Sequence, residues 1–213
     1  MAWNTGHTVP DLGSAARGAS KGFESVSVPL LIVGVDGVLA PLRAMTHEDT
    51  WGDWRAAGGV GVRVPVSPLM GASLKNLPAK IVVCSDWGSR ADILSEELGW
   101  DGVEALRREL PSRWWWKLDA VRAFLGARPR RPIAWVDDEL RDHPEAAAWL
   151  MRAGVPALLL STDPKVGITP SDVERLATFC TENSSSPAVE LSSAARAEYE
   201  PFEQSVFAAE IAE

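Results

Sequence analysis

The chain has 213 residues, a formal net charge of −8 and 46% hydrophobic residues. This suits one domain with extensions, and the acidic balance argues against a surface that generally coats nucleic acid. With two cysteines, Cys84 and Cys180, and no apolar run approaching the ~20 residues of a membrane span, neither a disulfide framework nor a membrane protein is expected.

In chain order, residues 1–27 are rich in Gly, Ser, Ala and Thr and lack any period, which reads as a flexible leader. No basic segment followed by an apolar core precedes the domain, so a cytoplasmic protein is expected. The run Leu30-Leu31-Ile32-Val33-Gly34-Val35-Asp36-Gly37-Val38-Leu39 then begins as a buried strand over about 29–35. That strand carries Asp36 to its carboxyl end, the edge where ligands bind in open α/β sheets. Gly37 allows a sharp turn just after it.

Residues 40–66 are broken by Pro41, Gly52, Gly58, Gly59, Gly61 and Pro65, too short and irregular for a separate cap domain. Val60–Val64 alternates like one arm of a small hairpin, with Trp51 and Trp54 packing on it. A short helix is expected over 68–76, ended by Asn76 and Pro78. Lys80–Ser85 reads as a second buried strand ending in a hydroxyl, and Asp86 leads into a helix to about Leu98. A hydroxyl beside a helix start can donate to a phosphate oxygen.

A short charged helix is expected near 103–110. After the Trp114-Trp115-Trp116 triplet, Lys117 opens an amphipathic helix with Leu118, Val121, Phe124 and Leu125 inward. The helix dipole disfavours a lysine at that end unless it faces an anion. One Trp of the triplet is a candidate to stack on a base or ring, and Arg128, Arg130 and Arg131 form a local basic loop. The strand 132–136 ends in Asp137-Asp138-Glu139. Adjacent carboxylates repel, and a divalent cation would relieve them; the plainer alternative is that Asp138 and Glu139 cap the next helix. A helix over 143–153, a strand over 155–160, a loop over 161–167 and a helix over 169–181 complete the pattern. Residues 183–213 read as an acidic flexible tail, in which Phe202, Val206, Phe207 and Ile211 offer one face to a protein partner.

Alternating strands and helices imply a parallel α/β sheet, so Asp36, Ser85, Lys117, Asp137 and Asp138 can converge at one sheet edge. The first strand and its Asp-Gly turn resemble the first motif of the haloacid-dehalogenase (HAD) superfamily, an apolar strand followed by Asp-x-Asp-Gly. Ser85, Lys117 and Asp137-Asp138 resemble the second, third and fourth motifs, over about residues 29–180. The wording Asp-Gly-Val-Leu, Ser-Asp-Trp and Trp-Val-Asp-Asp-Glu is most similar to small, nearly capless bacterial members, and related domains occur in RNA-repair proteins.

The resemblance implies a three-layer, Rossmann-like HAD fold over 28–182, with a parallel central sheet and a small flap. It implies Mg²⁺ held by Asp36, Asp137 and Asp138, a phosphoryl group held by Ser85, Asp86 and Lys117, and catalytic roles for Asp36, Ser85 and Lys117. The family's covalent nucleophile, however, falls on Gly34. Three readings follow: a scaffold with little or no turnover that binds a phosphorylated small molecule or nucleic-acid end; a working phosphatase using Asp36 and metal-bound water; or a non-enzymatic interaction protein acting through its termini.

Overall fold

Every side chain of β1 (Leu30–Val33) is buried, and the strand lies at the centre of a five-stranded sheet. A computed structural model describes residues 28–42, 50–58, 63–87, 90–108, 115–126 and 131–184. The expected leader, the tail beyond 184, Trp114, Arg128 and Arg130 lie outside these residues.

After β1 come β2 (Arg55–Ala57), β3 (Val64–Val66), α1 (Pro68–Lys75), β4 (Lys80–Cys84), α2 (Arg90–Glu97), β5 (Glu104–Leu106), α3 (Trp116–Gly126) and β6 (Ile133–Val136). A 3₁₀ helix (Asp138–Asp142), α4 (Pro144–Arg152), β7 (Ala157–Leu160) and α5 (Pro170–Asn183) follow. The main sheet has the order β5-β4-β1-β6-β7 and every pairing in it is parallel. The chain steps outward from β1 through β4 to β5, then crosses to β6 and β7. The carboxyl ends of β1, β4 and β6 therefore flank the point where strand order reverses, the favoured ligand position in such sheets.

The strand pattern explains the three layers. Leu31, Val33, Val83, Ala134 and Val136 pack with Met70, Leu74, Leu94 and Leu176, which come from α1, α2 and α5. Leu30, Ile32, Val82, Cys84, Ile133 and Trp135 pack on the other face with Leu118, Val121, Leu125 and Leu150, which come from α3 and α4. Because both faces are covered, these strands are continuously apolar rather than alternating. This is the expected α/β, Rossmann-like three-layer architecture.

The expected hairpin is present, but its arms are Arg55–Ala57 and Val64–Val66; residues 60–62 lie outside the described residues. It is tied down at several points. Trp51 donates its indole N–H to the Ile168 carbonyl at 2.9 Å, and Arg55 pairs with Glu97 at 2.9 Å. Asp53 accepts from the Ser67 hydroxyl and from Leu69 N–H, fastening the loop to the start of α1.

The short helix expected near 103–110 is corrected: Glu104–Leu106 is an edge strand, paired with Val82–Cys84. Three residues hold too little pattern to separate strand from helix, and the available β4 edge decides the outcome. The last helix begins with a full capping box, Thr169 and Asp172 satisfying each other's backbone N–H groups, and runs to Asn183. Among the described residues no helix is long and apolar enough to cross a membrane.

Candidate active site

Three strand ends and one helix start build the site. β1 ends at Val33 and passes through Gly34 to Asp36; Gly37, at φ +69°, makes the turn that backbone sterics reserve largely for glycine. The turn is buttressed from the 161–168 loop, where the buried Thr162 hydroxyl donates to the Gly37 carbonyl at 2.7 Å. Ile168 N–H donates to the Val38 carbonyl at 3.0 Å beside it.

Asp137 follows β6 and is completely buried. Its carboxylate accepts the Glu139 N–H at 3.1 Å, which starts the 3₁₀ helix. The expected capping role thus falls on Asp137, with Asp138 and Glu139 as the first helical residues. Lys117, the second residue of α3, places Nζ 2.9 Å from both Asp137 oxygens and 2.9 Å from Glu139 Oε2. The anion that a lysine at this helix start requires is therefore supplied from within the chain.

Burial pushes the Asp137 carboxyl up, to about 6, although Lys117 pulls it down. Burial alone would lower the Lys117 ammonium; the two carboxylates outweigh it and the net shift is upward. Burial also raises Asp138. Glu139 is pushed upward by burial as well, but hydrogen bonds from Lys117 and from Trp115 Nε1, the latter 2.7 Å away, hold it below the ordinary carboxylate range. The ion-paired, ionised form of the cluster is the one present near neutral pH.

Trp115 was not singled out within its triplet by the sequence. Its ring stacks on that of Trp135, with centroids 5.0 Å apart and planes 7° apart, and on that of His143, at 4.3 Å and 3°. The stacking partners of Trp115 are thus side chains of this same chain. Trp87 is the second unanticipated contributor: its indole N–H donates to Asp36 Oδ2 at 2.8 Å, and its backbone N–H donates to Ser85 Oγ at 3.3 Å. The bond to Asp36 spans 51 residues of chain, so composition and spacing carry little sign of it; the bond to Ser85 is a local turn contact two residues back.

Gly34 has a specific packing reason. A β-carbon there would stand 2.8 Å from Asp137 Oδ2 and 3.1 Å from a Val38 methyl. The Asp137 carboxylate therefore lies against the space that a side chain at position 34 would need. Asp138 lies similarly close to Gly37, its Oδ2 2.7 Å from an ideal β-carbon. Asp36 and Asp86 are exposed, while Ser85 is buried.

The structure thus joins Lys117 to Asp137 and Glu139, and Asp36 to Ser85 through Trp87. It does not bring Asp36, Asp137 and Asp138 together as ligands: among the described residues, no group of three or more His, Cys, Asp or Glu side chains is placed to hold a metal ion. With both Asp137 oxygens on Lys117 and Asp36 Oδ2 on Trp87, the arrangement does not fit a divalent cation. Arg131, the described member of the basic loop, makes a long 3.5 Å contact to the Val28 carbonyl.

No protein-family model, curated protein or solved structure matches the chain.

Proposed function

We propose that this chain is a HAD-like scaffold that binds a phosphorylated ligand at the β1–β4–β6 edge without the family's covalent hydrolysis. The observation that carries the reading is the packing at Gly34. Covalent phosphoryl transfer needs a nucleophile at that position, and the Asp137 carboxylate stands 2.8 Å from where its β-carbon would go, closer than an ordinary contact. The remaining elements of an anion site support the binding half of the proposal. Lys117 is an ammonium pointed at carboxylate oxygens, Ser85 supplies a hydroxyl at the adjacent strand end, and Asp36 is held in orientation by Trp87. A phosphoryl group would take the place of one carboxylate on Lys117.

Phenyl phosphate hydrolysis, followed with and without added Mg²⁺, tests the absence of turnover. The natural chain should release no more phosphate than its Asp36→Asn variant. Release that requires Asp36 would replace this proposal with a phosphatase in which Asp36 serves as general base toward water.

A further inference from the structure

We propose that Trp115 and Lys117 form an anion-recognition pair which, in the free protein, is occupied by the chain's own Glu139, and that a phosphate monoester binds by displacing that carboxylate. This inference rests on the phosphoryl-binding reading above and specifies how the ligand enters.

The geometry separates two fixed donors from one exposed acceptor. Trp115 Nε1 and Lys117 Nζ converge on the same atom, Glu139 Oε2, at 2.7 and 2.9 Å. Trp115 is 7% exposed and stacked on two aromatic rings. The Lys117 side chain is 11% exposed and anchored by both Asp137 oxygens. The Glu139 side chain, by contrast, is 47% exposed and stands on a 3₁₀ helix of five residues. Donors that are already ordered lose little freedom when an anion arrives. The occupant can swing into water with little lost packing.

The chemistry of the pair defines the ligand. A neutral N–H and an ammonium directed at one oxygen suit a single anionic oxygen; planar, two-pronged recognition of a carboxylate is an arginine property. A terminal phosphate offers such an oxygen while its others remain free for water. Asp137 stays on Lys117 throughout, so the lysine's charge is already partly balanced and Glu139 competes directly with the ligand. Glu139 thereby sets an affinity threshold that weakly binding anions do not pass.

Phenyl phosphate titrated by calorimetry at constant ionic strength tests this. Glu139→Ala should tighten binding by about tenfold or more, the scale of a charge-assisted hydrogen bond no longer competed for. Trp115→Phe, which keeps a stacked ring and removes only the N–H donor, should erase most of that gain when added to Glu139→Ala. Binding by the natural chain with unchanged affinity in Glu139→Ala would overturn the gate and leave the phosphoryl-binding reading standing. Absence of binding in both chains would overturn both. Should Trp115→Phe disturb the fold, Glu139→Ala decides the matter alone, because its side chain lies at the surface.

Discussion

Gly34→Ala tests the packing at the nucleophile position directly. The new methyl would meet Asp137 Oδ2 at 2.8 Å and a Val38 methyl at 3.1 Å, whereas ordinary contacts begin near 3.4 Å. The carboxylate would have to retreat by several tenths of an ångström. It is tethered by Lys117 on both oxygens at 2.9 Å and by Glu139 N–H at 3.1 Å, so the retreat strains three interactions in a buried site. Overpacking of this kind costs about 1–3 kcal/mol. Replacing glycine also removes freedom from the unfolded chain, a gain of about 0.4–1 kcal/mol. A net loss of about 1 kcal/mol remains, within a span of roughly 0–2.6 kcal/mol, read as a lower urea midpoint with an unchanged slope. Gly34→Asp should lose more at neutral pH, because it sets a second carboxylate beside Asp137. Its deficit relative to Gly34→Ala should shrink in mild acid, as one carboxyl takes up a proton. An alanine variant as stable as the natural chain would refute the packing argument, and an aspartate variant as stable as the alanine variant would refute the charge argument.

Other outcomes follow from the same geometry. Asp137 binds its proton more tightly folded than unfolded, with its ordinary value of 3.8 raised to about 6. Its contribution to stability is therefore fully present below 3.8 and lost as pH rises through about 6, a swing of up to ~3 kcal/mol. The advantage of the natural chain over Asp137→Asn in denaturation should shrink across that window; an advantage that grows would mean that the Lys117 attraction outweighs burial. Thr162→Val removes the buried donor to the Gly37 carbonyl and should cost about 1–3 kcal/mol, measured by the same denaturation. Burial pushes the Cys84 thiol up to about 12 and Cys180 to about 11, so neither should react with iodoacetamide in the native protein, while both should after unfolding.

The parts of the fold legible from sequence are those whose signal is local. Leu30–Val33 and Ile133–Val136 are apolar on both faces because helices cover both, and Thr169-Pro170-Ser171-Asp172 writes out a helix start. Glu104–Leu106 is not legible, since three residues become a strand only where β4 leaves an open edge. At the site, the residue types at strand ends were readable, and Lys117 at a helix start correctly indicated a nearby anion. The source of that anion was not readable, because Asp137 and Glu139 reach Lys117 across 20 or more residues of chain. Gly34 illustrates the same limit. Its φ is not in the left-handed region, so no turn rule requires glycine there; the demand comes from a carboxylate a hundred residues away.

The measurement that bears most directly on the central claim is calorimetric titration of the natural chain and of Lys117→Met with phenyl phosphate, with phosphate release monitored in the same samples. Saturable binding by the natural chain, lost in Lys117→Met and unaccompanied by phosphate release, is the result expected of a phosphoryl-binding scaffold. Release of phosphate by the natural chain, or failure to bind even at millimolar ligand, would contradict it.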